Sequence, residues 1–232
     1  MNYSAFENVM SSKRMRRYLN ACGGNKRKAM TLYRLNLRLS HEMFTVISCY
    51  EVALRNSIDR ILTASFGSDW LRDAILPGGI FDNPRFSRTT RIIHKAYNEL
   101  IANGKYSCSK MLSAMEFGIW KYMFSAPQYH ATGRLLLQVF PKKPKSSALI
   151  QYNNQFIYNE LDTINRLRNR IAHHEPICFL HDQETISTTY LLNCYTRILM
   201  LFSWMDIDNK SLLYGLDHVK NLSRKIELIN NK

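Results

Sequence analysis

Apolar residues recur at intervals of three and four along most of this chain. Ile47, Tyr50, Leu54, Ile58 and Ile61 do so in one stretch, and Ile157, Leu161, Ile164, Leu167 and Ile171 in another. That spacing stacks side chains on one helix face, whereas a half-buried strand would alternate. The 9 glycines and 6 prolines fall between the periodic segments, where they end helices rather than interrupt them. No strand series, internal repeat or domain linker is visible. The pattern predicts an all-α fold, with residues 1–232 forming one domain.

Punctuation between the stripes sets the expected elements. A short basic helix is predicted from about Phe6 to Leu19, within a basic N-terminal region of about residues 1–30, and Cys22-Gly23-Gly24-Asn25 breaks it. A helical region from Lys26 to about Phe66 follows, bent or broken near Ser40. Leu76-Pro77-Gly78-Gly79 through Asn83-Pro84 reads as a loop, and Ser87 to Ala102 as a helix stopped by Asn103-Gly104. Lys110 to Phe124 is apolar and aromatic, hence core. Residues 129–140 are another helix candidate. The next helix spans about Tyr152 to His173, because Pro176 disfavours a helical residue just before it. A long apolar helix is expected over about Thr185 to Met205. Residues 206–232 form a polar tail with a helix near Val219 to Ile229.

Charge narrows the function. Lys and Arg number 32 against 18 Asp and Glu, a net charge of +14. Such an excess attracts polyanions, with nucleic acid the first candidate. Lys13, Arg14, Arg16 and Arg17 are clustered near the N-terminus, and PKKPKSS at 141–147 carries Lys142, Lys143 and Lys145. That loop is either a solvated connector or an RNA-backbone contact. No run of about 18 uncharged apolar residues predicts a membrane span, and the N-terminus lacks the apolar stretch of a signal peptide. Cys22, Cys49, Cys108, Cys178 and Cys194 are scattered without a CxxC pair. This argues for a reducing cytoplasm and against zinc or a disulfide framework. No GxxxxGK[ST] loop, GxSxG elbow or paired helical histidines at i,i+4 occur, so neither a metal nor another cofactor is expected.

The chemistry is densest in LRNRIAHHEPI, residues 167–177. Arginine holds phosphate charge, and histidine as a residue type exchanges a proton near neutral pH. In the order Ile157, Leu161, Ile164, Arg168, Ile171, Arg168 takes a stripe position where an apolar residue is expected. A buried guanidinium there needs a carboxylate or an anionic ligand; otherwise its stem packs and its head reaches water. His173 lies five residues on, about 140° around an ideal helix. One helix therefore does not aim both at a point. Either the helix loosens before Pro176, or a second copy supplies the facing residues across a two-fold axis. Glu51, on the border of the earlier stripe, can orient Arg168 or a histidine, or simply pair with Arg55 at i,i+4 for about 0.3 kcal/mol. Asn56 is similarly ambiguous. His174 is a spare histidine, a favourable charge at the helix C-terminus, or a participant.

RNRIAHHEPI resembles the motif of the Abi-like (abortive-infection, AbiD/AbiF type) branch of the HEPN superfamily, an arginine followed after four to six residues by a histidine. Here Arg168 and His173 are separated by four, and Asn169 follows the arginine. The likeness extends to YRLNLRLSHEMFTVISCYEVALRNSIDRIL at 33–62, FGSDWL at 66–71, MEFGIWKYMFS at 115–125 and Val139-Phe140-Pro141, so it spans about residues 30–180. The resemblance implies a HEPN-type helical bundle with additional helices. It also implies a metal-independent endoribonuclease in phage defence or of toxin type, whose composite site forms when two motifs meet in a homodimer. Arg168, His173 and Asn169 would be catalytic, with Glu51, Arg55, Asn56 and His174 supporting. A structured RNA partner is a further expectation. Some HEPN proteins carry a tyrosine two residues after the histidine that a nucleotidyltransferase modifies; Glu175 stands there, so such a pairing is not expected. The alternative is a catalytically idle HEPN protein acting within an RNA–protein complex, or a plain helical interaction protein.

Overall fold

A computed structural model describes residues 1–230; residues 231 and 232 of the expected tail lie outside the described residues. The described residues form helices α1 (Tyr3–Met10), α2 (Ser12–Ala21), α3 (Lys26–Phe66), α4 (Trp70–Asp73), α5 (Ser87–Ala102), α6 (Cys108–Ser113), α7 (Phe117–Tyr122), α8 (Ala126–Ala131), α9 (Asn154–Ala172), α10 (Thr189–Trp204), α11 (Asn209–Leu212) and α12 (Val219–Asn230). Two 3-10 turns, Pro84–Phe86 and Leu135–Val139, complete the set. Only an isolated bridge, Phe179 with Ile186, has β character among the described residues. The all-α class read from the apolar spacing is the class observed.

Three elements differ from expectation. The single N-terminal helix is two, because Ser11 adopts φ 72 and its hydroxyl then accepts the Arg14 N–H to cap α2. The region from Lys26 to Phe66 is one helix of 41 residues with no break at Ser40. Leu39, Met43, Val46 and Tyr50 are fully buried on either side of that serine. Their burial outweighs the few tenths of a kcal/mol by which serine disfavours a helix. Residues 129–140 do not form one helix: Gly133 and Arg134 take left-handed φ values of 68 and 61, and α8 gives way to the second 3-10 turn.

The chain divides into two compact units, and the division falls within α3, α9 and α10. The first comprises residues 1–49, 166–200 and, among the described residues, 209–230. Its core stacks rings edge to face: Phe6 on Tyr33 at 5.5 Å, Tyr33 on Tyr18 at 5.1 Å, and Tyr18 on Phe179 at 5.1 Å. Glu227 of α12 accepts from the N–H and hydroxyl of Thr188 at 2.7 and 2.8 Å, which fixes the start of α10. The second unit comprises residues 50–165 and 201–208. Trp70, Phe81, Phe86, Phe117, Trp120 and Phe124 are buried there, so the aromatic stretch expected to be core is core. Buried Lys121 of α7 pairs with Asp162 of α9 at 2.8 Å and lies over the Tyr122 and Tyr158 rings. No helix among the described residues is long and apolar enough to cross a membrane.

Candidate active site

Pro176 and His174 shape the end of α9. Proline forces the residue before it out of helical geometry, and the chain turns through His174 at φ 56. The His174 N–H donates to the Ile171 carbonyl at 3.0 Å and the Glu175 N–H to the Arg170 carbonyl at 2.8 Å. This is the paired closure of a Schellman motif, which satisfies carbonyls a helix end would otherwise leave open. Glycine usually occupies the left-handed position; histidine is found there more often than most side chains but still carries the steric cost of a Cβ. Arg170 locks the turn from within, pairing with Glu175 at 3.3 Å and donating to the Pro176 carbonyl at 2.7 Å.

Helix α2 holds the same turn from outside. The Arg14 guanidinium donates to the His174 carbonyl at 2.8 Å. One helical turn on, Arg17 donates to the Leu180 and Gln183 carbonyls, each at 3.0 Å, and lies over the Phe179 ring at 4.6 Å. Asn20 donates to Glu184 at 3.0 Å. These positions recur at three-residue intervals, so one seam of α2 docks the segment that follows the motif. Asn36 of α3 adds a buried anchor, its carboxamide oxygen accepting the Ile177 N–H at 2.9 Å. Sequence reasoning missed Asn36, although it interrupts the run Leu32, Leu39, Met43 just as Arg168 interrupts the α9 stripe.

Between α2 and the turn lies a cleft of about 400 Å³, lined among others by Lys13, Arg14, Arg17, His173, His174 and Glu175. Two residues read as RNA contacts and both motif histidines therefore share one space. Lys13 is a lining residue the sequence placed only in a basic helix. Tyr18 also lines the cleft, and burial holds its phenol well above the usual range; it enters as a neutral ring, not a base. The cleft holds more cations than carboxylates, and Glu175 is already paired with Arg170.

The remaining expected residues are placed elsewhere. Arg168 is half-buried and not among the cleft's lining; its Nε is buried with no hydrogen-bond partner. Asn169 is exposed, and its carbonyl accepts the His173 N–H at 2.9 Å. Arg16 is exposed on α2. Glu51, Arg55 and Asn56 lie on the part of α3 that belongs to the second unit, where Arg55 donates to Asn56 at 3.4 Å. Lys142, Lys143 and Lys145 are also in the second unit. Lys142 is tied through its N–H to the Trp204 carbonyl at 3.0 Å and lies 3.9 Å from Asp206, and Lys145 is exposed. Among the described residues, no group of three or more His, Cys, Asp or Glu side chains is arranged to hold a metal ion.

A family described as Abi-like protein matches residues 2–178. The chain is also 31% identical over 71 residues to a probable nicotinate-nucleotide adenylyltransferase of Buchnera aphidicola subsp. Acyrthosiphon pisum (strain Tuc7). That stretch covers 31% of this chain and 30% of the other protein, so the chain spans less than a third of that relative. No solved structure matches the chain.

Proposed function

We propose that this chain, which belongs to the Abi-like protein family, is a metal-independent endoribonuclease acting in abortive-infection or toxin-type defence. The family's name refers to abortive infection; the activity is inferred from the site. The observation that carries it is the cleft lined both by His173 and His174 and by cations of α2. Metal-free RNA cleavage needs proton transfer to and from oxygens and positive charge at phosphorus, and these residue types provide both.

RNA supplies the nucleophile, its own 2′-OH. His173 moves a proton at one of the two reacting oxygens. Arg168 stabilises the charge that accumulates on the phosphorane oxygens, and Asn169 orients a side chain or contacts phosphate. The products are a 2′,3′-cyclic phosphate and a 5′-OH. Arg168 does not line its own chain's cleft, which favours a site completed by the same motif of a second copy in a homodimer. A structured RNA, as substrate or as a cognate non-coding RNA, is the expected partner, drawn by the +14 charge.

The test compares wild type with the Arg168→Ala/His173→Ala variant on labelled RNA and its DNA counterpart, with and without EDTA. Cleavage of RNA alone, resistant to EDTA and lost in the variant, is expected. A Mg²⁺ requirement, or full activity in the variant, overturns the mechanism. RNA that is bound but left intact would instead mark the chain as an RNA-binding protein.

A further inference from the structure

We infer that His174 is a second catalytic histidine, and that His173 and His174 of one chain divide the two proton transfers of RNA cleavage. This rests on the ribonuclease reading and extends it. On a continuous helix, adjacent side chains diverge by about 100° and would not serve one phosphate. The helix does not continue here. It ends at Ala172, and the left-handed φ of 56 at His174 redirects the chain between the two residues. Both imidazoles are exposed, and both line the same cleft.

Three features show a site built around His174 and not merely a tolerated residue. First, a left-handed position is one where glycine costs least, so an imidazole there carries a conformational cost that the helix end does not need. Second, its main chain is fixed on every side: its N–H donates to Ile171, its carbonyl accepts from Arg14 at 2.8 Å, and the next residue is tied to Arg170. Third, the groups that line the cleft with it suit a phosphodiester. Lys13 comes from α2, beside Arg14 and Arg17, whose guanidiniums also hold main-chain carbonyls, and the lining carboxylate, Glu175, is paired with Arg170. A cleft of about 400 Å³ falls within the range of small-ligand sites and accommodates a nucleotide unit.

The reaction balances without any further reagent. The 2′-O–H proton passes to one imidazole while the bond from the 2′-oxygen to phosphorus forms. The bond from phosphorus to the 5′-oxygen breaks, and the other, protonated imidazole gives its proton to that oxygen. The histidines end with protonation states exchanged, and solvent restores them.

The left-handed backbone provides a clean test. His174→Gly removes the imidazole while suiting the turn, and His174→Asn is a second variant that tolerates the same φ. Both should melt no lower than wild type, yet cleave RNA about 10²- to 10⁴-fold more slowly, the contribution typical of one general acid or base. A substrate with sulfur in place of the 5′-bridging oxygen separates the roles, because a thiolate leaves without being protonated. That substrate should rescue one of His173→Ala and His174→Gly by at least about tenfold and not the other. Wild-type cleavage by His174→Gly, or rescue of neither variant, overturns the assignment while leaving the ribonuclease reading intact. A wild-type chain that leaves all RNA uncut overturns both.

Discussion

The Arg14 guanidinium lies 2.8 Å from the His174 carbonyl oxygen, although 160 positions separate the two residues in the chain. A helix near the N-terminus thus holds in place the turn that carries the motif histidines. The same helix supplies Lys13 to the cleft beside them. Basic residues read from sequence as a generic RNA-attracting cluster are, in two of four cases, hydrogen-bonded to main-chain carbonyls.

Arg14→Ala should therefore act on geometry more than on affinity. One charged hydrogen bond at an exposed position is worth about 1 kcal/mol, so melting should drop only slightly. RNA cleavage should drop further than binding to a non-cleavable 2′-deoxy analogue. Equal losses in binding and cleavage would reassign Arg14 to direct phosphate contact.

Arg17→Ala removes the donors to Leu180 and Gln183 and the cation over Phe179. The segment 179–186, with no regular secondary structure beyond one bridge, depends on these. The variant should lose about 1–3 kcal/mol, the range for a charged hydrogen bond and its partners. Amide exchange in 179–187 should accelerate well before the rest of the first unit. Unchanged exchange there would show that Arg17 does not hold this segment.

How far the sequence was legible depends on the range of the interaction. Helix α5 runs over the residues expected, Ser87–Ala102, because its stop is local, Asn103-Gly104. Helix α9 ends at Ala172 because Pro176 acts within a few residues. Arg168 stood out because a cation in an apolar stripe is anomalous in any fold. The split at Ser11 was not legible, since serine is compatible with a helix and only packing selects its positive φ. Nor was the left-handed turn at His174, a conformation local propensity assigns to glycine. The docking of α2 on residues 174–184 lies beyond any periodicity argument: nothing in KRMRR names a carbonyl 160 positions away.

Lys121 should prove the most costly charged side chain to remove from the second unit. It is buried, 2.8 Å from Asp162, with exposures of 7% and 22% for the two side chains. Breaking the pair by deleting Lys121 costs up to about 3 kcal/mol, because the partly buried Asp162 carboxylate loses this partner. Lys121→Met should show that loss in denaturant unfolding, and Lys121→Met/Asp162→Leu should recover much of it. A double variant as unstable as the single would put the cost in packing against Tyr122 and Tyr158 instead.

Alkaline pH should unfold the chain over a narrow interval. Burial raises the phenols of Tyr18, Tyr50, Tyr106 and Tyr195, and neighbouring carboxylates Asp69 and Asp217 add to the effect at the last two. Above about pH 10, tyrosines of an unfolded chain ionise while these stay protonated. The folded state then binds more protons than the unfolded, so stability, fully present below that value, declines as pH rises. Tyrosinate absorbance should therefore appear cooperatively with loss of helix. A gradual titration with helicity retained would contradict the burial of these rings.

Arg168 gives the sharpest separation of stability from activity. Its Nε is buried without a partner, and an unsatisfied buried donor costs about 1–3 kcal/mol. Leu161, Ile164, Leu167 and Ile171 around it on the helix are buried and apolar. Arg168→Met keeps the stem's volume and removes the unmet donor. It should melt at or above the wild-type temperature and lose RNA cleavage by at least about 10²-fold, the scale for removing a charge-stabilising donor from a transition state. Stability gained at the expense of function is the signature of a residue kept for its ligand. If Arg168→Met instead melts well below wild type, Arg168 is held by protein contacts, and its place in the reaction is lost with that result.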